Sequence, residues 1–175
     1  MTDRLITAGG LVLRPWTATD AAAVHAAFSA PLMSRQTAEP VGDPAAAERW
    51  LAERAREWAE GTGFSWAVTD GCAVLGCVRV SSISRRHETG WVSYWTVAAA
   101  QGRGVAGTAA RTVADWALGD LGLFRLELGH RTDNPASCGV AARAGFSVEG
   151  LQRAKLRYGN ERHDVELHAR LASDP

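Results

Sequence analysis

At Gly61-Thr-Gly63 the hydrophobic period of the chain changes, and that change constrains the fold more than any other feature. Before it, Trp50, Leu51, Ala55 and Trp58 recur at helical spacing, with Glu48, Arg49, Glu53, Arg54, Arg56 and Glu57 mostly on the wet side. After it, Phe64–Thr69 and Ala73–Val80 alternate with period 2 across a turn at Asp70-Gly71, which predicts a hairpin. Asp43-Pro44 is a capped start for the helix, with proline at its first position. Upstream, Gly10–Trp16 reads as an opening strand, Asp20 as the cap of a helix over 21–29, and 30–42 as a loop. Downstream come a strand at 91–97, a glycine-rich turn at 101–107 and a helix carrying Ala109, Val113, Trp116 and Ala117. A strand at 123–128, a short helix at 135–144 capped near Asp133 or Asn134, and antiparallel strands at 146–151 and 165–171 follow. The order β-α-α-β-β-β-α-β-α-β-β predicts an α/β fold with a mixed, mostly antiparallel sheet and helices on its faces. With 175 residues and no internal repeat, one domain over 1–175 is expected.

Charge narrows the partners. Nineteen basic and nineteen acidic side chains cancel, and residues 1–87 and 88–175 balance separately. No basic stripe points to nucleic acid or anionic lipid, and no run of eighteen apolar residues points to a membrane. Three cysteines, an odd number without a leader-like start, fit a reducing cytoplasm. Cys72 and Cys77 read as small buried hydrophobes. His163 and His168 lack a third ligand in sequence, so no metal site is predicted. Trp50, Trp58, Trp66 and Trp116 are expected in the core, and Trp16, Trp91 and Trp95 beside a pocket.

Chemistry concentrates between 95 and 108. Gly102, Gly104 and Gly107 permit a tight turn that presents N–H groups at a helix N-terminus, where about half a positive charge suits a pyrophosphate. Arg103 adds a cation and Thr108 a hydroxyl. For the glycines alone, a glycine-rich helix entry with no ligand is the simpler account. Gly102-x-Gly104-x-x-Gly107 also has dinucleotide-fingerprint spacing, with Glu127 twenty residues further on, but only 68 residues remain for such a fold.

Four segments in order raise a different reading. Leu11-x-Leu13-Arg14-Pro15 with Asp20, Trp91–Trp95, Gln101-x-x-Gly104-x-Ala106, and Asn134-Pro-Ala-Ser137 followed by Ala144-Gly145-Phe146 together resemble the GNAT superfamily of acyl-CoA N-acyltransferases. The tail Glu149-Gly150-Leu151 with Asp164–Leu167 resembles its Rim-type, ribosomal-protein branch. The resemblance implies two central strands, 91–97 and 124–129, splayed around acetyl-CoA as co-substrate. Trp95, Thr96 and Val97 would meet the pantetheine. Gln101, Gly102, Arg103, Gly104, Val105, Ala106, Gly107 and Thr108 would cradle the pyrophosphate, with Asn134 a further contact. An amine, a protein N-terminus or a small molecule, would attack the thioester directly, in a monomer or homodimer.

Where many members carry a proton-donating tyrosine, this chain has Ala141, so Ser137 is the expected partner of the leaving thiolate. The Rim-type acid early in the central strand is replaced by Trp91, which leaves Glu88 as the expected base, with His87 and His130 as other options. Residues 31–42, with Met33, Arg35 and Glu39, and the turn 158–162 are expected to shape the acceptor side. A catalytically inactive CoA-binding module is the alternative.

Overall fold

A computed structural model describes residues 4–30, 33 and 41–175. The first half contains β1 (Leu5–Ile6), β2 (Val12–Pro15), α1 (Ala21–Phe28), α2 (Pro44–Glu60), β3 (Phe64–Thr69) and β4 (Val74–Ser84). The second half contains β5 (Thr89–Thr96), α3 (Val105–Leu118), β6 (Arg125–Arg131), α4 (Pro135–Arg143), β7 (Ser147–Tyr158) and β8 (Glu161–Leu171). All strands join one sheet in the order β1-β2-β3-β4-β5-β6-β8-β7, and β5–β6 is its single parallel pair among the described residues. The mixed, mostly antiparallel sheet expected from the pattern is the one that forms. Among the described residues no helix is long and apolar enough to cross a membrane.

The pleat divides the core in two. Trp66, Val78, Val80, Val92, Leu126 and Leu128 pack with Ala109, Val113 and Trp116 of α3 and Ala141 of α4. Cys77 and Trp95 alternate with these residues along β4 and β5, so they face the other side. There Trp95 joins Trp16 and the apolar faces of α1 and α2, including Val24, Phe28, Ala47 and Leu51. Local chemistry sets the ends of α2. Asp43 Oδ1 accepts from the Ala46 N–H at 2.7 Å, Pro44 occupies the first turn, and Gly61 closes the helix in the left-handed region.

Three expectations change. The closing strands are far longer than 146–151 and 165–171, because β7 is exposed along most of its length and is held by pairing to β8. A strand with little burial shows no period-2 signal. Cys72 is exposed in the β3–β4 turn, and only Cys77 is buried, with its thiol pushed up to about 11 by desolvation. Asp20 does not cap α1. Its carboxylate turns back to the Arg14 guanidinium, 2.8 Å to each oxygen, and to the Thr17 N–H at 2.8 Å.

Burial alone would raise the Asp20 carboxyl, but Arg14 and the Thr17 donors outweigh it and hold the group below its ordinary value. A depressed folded pKa adds stability above the unfolded value of about 3.9, and this is lost as pH falls through the folded pKa. Asp20→Asn is therefore expected to be less stable than the parent at pH 7, with the gap narrowing toward pH 2. Urea midpoints across that range check it, and a gap independent of pH would refute the pairing.

Candidate active site

β5 and β6 pair at Thr89–Arg125, Gly90–Leu126 and Trp91–Glu127, and at no later position. From there β5 stays paired with β4 as far as Thr96, while β6 stays paired with β8 as far as Arg131. The strands therefore part, and the backbone N–H and C=O groups on their facing edges lack a strand partner. Trp91 sits at the vertex: a Cβ on Gly129 would lie 3.0 Å from its indole. The predicted splay of 91–97 from 124–129 is present, beginning after Trp91 and Glu127.

The loop leaving the open end of β5 carries the glycine-rich turn. Val97 donates its N–H to the Leu75 carbonyl at 2.9 Å, and a 3-10 turn at Ala98–Ala100 leads on. Gly102 and Gly104 have φ of +73° and +76°, which only glycine adopts at low cost, and space beside both is open. Gly104 precedes α3, whose first-turn N–H groups have no intrahelical acceptor. Gln101, Arg103 and Thr108 are exposed, while Val105 and Gly107 are buried, Gly107 against Arg143. Thr108 differs from expectation, since its hydroxyl donates to the Gly104 carbonyl at 3.1 Å. β5, α3 and β6 form a single parallel βαβ unit, not the array of parallel strands a dinucleotide fold requires.

Asn134 caps α4 as expected, its side chain accepting the Ser137 N–H at 3.3 Å. The Ser137 hydroxyl makes no hydrogen bond among the described residues. The Ser137 carbonyl accepts from the Tyr94 hydroxyl at 3.2 Å, so Tyr94 ties β5 to α4 across the opening. Burial holds that phenol above its ordinary value, which keeps it a donor. Tyr94 was missed in sequence because its role needs α4 folded over β5. Ala141 is fully buried and leaves no polar group at the position it occupies.

Glu88 is not brought to this end. It is exposed, with φ of +52°, and its carbonyl accepts the Phe124 and Arg125 N–H groups at 2.7 and 3.0 Å. These bonds stitch the closed end of the splay. Tyr94 lies six residues further along the strand, roughly 20 Å away at about 3.3 Å per residue. His87 is exposed on the same turn. His130 is at the open end, with Nδ1 2.9 Å from the Arg131 carbonyl and Nε2 2.9 Å from His168 Nε2. Trp16 and Trp95 stack at 6.0 Å on the opposite face. Arg35 and Glu39 lie outside the described residues, whereas Met33 is buried in the second cluster. The 158–162 turn is the tip of the β7–β8 hairpin, with Arg131 over the Tyr158 ring at 5.5 Å.

A family model described as an acetyltransferase (GNAT) domain matches residues 10–147. The probable N-acetyltransferase YjcK of Bacillus subtilis is 31% identical over 58% of this chain and 56% of its own length. The ribosomal-protein-serine acetyltransferase of Escherichia coli is 29% identical over 56% of this chain and 55% of its own. The chain thus spans a little over half the length of these curated relatives. Among solved structures, RimJ of Mycobacterium smegmatis in complex with CoA-disulfide superposes with a TM-score of 0.84 at 22% identity, over 97% of this chain and 85% of that one. That similarity carries the fold.

Proposed function

The chain belongs to the GNAT acetyltransferase family, and from that premise we propose that it transfers an acetyl group from acetyl-CoA to a primary amine. The observation that carries this reading is the parting of β5 from β6 beside the N-terminus of α3. A thioester cofactor with a peptide-like arm and a pyrophosphate needs unpaired backbone groups and an anion cradle, and the free strand edges beside the glycine-rich entry to α3 support that reading. The pantetheine amides pair with the free edge near Trp95–Val97, and the pyrophosphate rests on Gln101–Gly107 with Arg103 as counter-charge. Asn134 orients the start of α4 against the cofactor.

The reaction is direct. The amine nitrogen bonds to the thioester carbonyl carbon, and an N–H on the free edge of β5 stabilises the oxyanion. Collapse breaks the C–S bond, and the free Ser137 hydroxyl donates to the departing thiolate. An alkylamine with a pKa of about 10 must first lose a proton. Glu88 is too far away to take it, and the open end of the splay gives solvent access. The acceptor is a protein N-terminal amine, as the ribosomal-protein relatives suggest, or a small amine.

Incubation with acetyl-CoA and a panel of peptides, polyamines and aminoglycosides, with CoA and acylated product separated by chromatography, tests the reading. Acceptor-dependent product is expected. Tight acetyl-CoA binding with no product from any acceptor would mean a binding module, and neither binding nor product would overturn the assignment. Ser137→Ala is expected to lower kcat on the order of a hundredfold while CoA affinity stays within about threefold. Unchanged turnover would remove Ser137 from the mechanism.

A further inference from the structure

Beside Ser137, side chains from three elements converge. His130 comes from β6, Glu166 and His168 from β8, and Cys138 from α4. One ligand atom of each lies within 4.8 Å of all the others. His130 Nε2 is 2.9 Å from His168 Nε2 and 3.5 Å from Glu166 Oε1, and His168 Nε2 is 3.0 Å from Glu166 Oε1. The strand register builds this arrangement, placing His130 opposite Glu166 and His168 opposite Leu128 on one face.

Protons alone serve the cluster poorly. His130 Nδ1 faces the Arg131 carbonyl, which only accepts, so in the neutral ring that bond takes the proton on Nδ1 and leaves Nε2 a lone pair. One proton on His168 Nε2 must then serve both His130 and Glu166. It leaves His168 Nδ1 a bare acceptor, buried without a partner among the described residues. A cation at the centre takes the lone pairs of His130 Nε2, His168 Nε2 and Glu166 Oε1 together. The carbonyl bond that fixes the His130 tautomer is also the outer support that metal-bound histidines have.

We propose that His130, Cys138, Glu166 and His168 form a site for a divalent, thiophilic transition metal of the zinc class. Two imidazoles, a thiolate and a carboxylate match the ligand preferences of Zn(II). In a tetrahedral site with bonds of about 2.0–2.3 Å, donor atoms sit roughly 3.3–3.7 Å apart. The nitrogen and oxygen spacings are within about 0.5 Å of that, and Cys138 closes the fourth corner by a small side-chain movement. Glu166 and Cys138 are half-buried, giving the ion a path from solvent. Binding here does not depend on acetyl transfer, so the two readings stand or fall separately.

The test is titration of the chelator-stripped protein with Co(II), read by visible and near-ultraviolet absorption. Saturation at one equivalent is expected, with tetrahedral d–d bands, a thiolate-to-cobalt band, and displacement of both by Zn(II). Cys138→Ala should lose the thiolate band and bind at least tenfold more weakly, while Cys72→Ala should match the parent. Glu166→Gln, which keeps the side-chain shape, should also bind more weakly. Absence of a saturable spectrum, or a thiolate band that survives in Cys138→Ala, would overturn the site.

Discussion

Replacing Gly104 with glutamate is expected to weaken acetyl-CoA binding by at least a hundredfold, about 3 kcal/mol. Two effects add. The carboxylate is introduced at the N-terminus of α3, where the pyrophosphate is proposed to sit, so like charges meet within a few ångströms. The position also has φ of +76°, where a side chain costs about 1–2 kcal/mol relative to glycine. Gly104→Asn separates the effects, because asparagine tolerates the left-handed region and carries no charge. It should lose much less affinity than the glutamate variant. Calorimetric titration with acetyl-CoA, alongside circular dichroism to confirm folding, reads both. A folded glutamate variant that binds normally would displace the phosphate from this turn.

The second large effect is expected at Gly76. A β-bulge between Val68 and Thr69 shifts the β3–β4 register there, and β4 runs against β5 so closely that a Cβ on Gly76 would collide with the Trp95 carbonyl oxygen. The obstruction is backbone, so no rotamer change relieves it. Gly76→Ala should cost about 1–3 kcal/mol, lowering the melting temperature by roughly 2–12 °C at about 2–4 °C per kcal/mol. It should also raise the KM for acetyl-CoA, because moving Trp95 away from β4 shifts the stretch proposed to pair with the pantetheine. A variant with parental melting temperature and KM would show that β5 is not held against β4 at this point.

What could be read before folding was whatever depends on residues near one another in the chain. The cap and proline of α2, the β3–β4 hairpin and the glycine-rich entry to α3 each rest on a few consecutive residues, and each formed. The outer hairpin was cut short because β7 carries little burial, so its residues had no apolar alternation to display. The expectation that Glu88 is the base rests on its place in the sequence near β5. Whether that place is the open or the closed end of the splay depends on β6 pairing with its first residues. Nothing local marks Tyr94 within its aromatic strand, because its partner, the Ser137 carbonyl, lies 43 residues away.

The sequence by itself determined the family, the order of elements and the glycine-rich entry to α3, because periodicity, caps and glycine spacing act over a few residues. Only the tertiary structure decided which end of β5 is open, and only it joined His130, Cys138, Glu166 and His168. His168 read alone had no third ligand. Sheet register and the docking of α4 supply the rest, because convergence of distant side chains is set by strand pairing and helix packing, which no local pattern encodes.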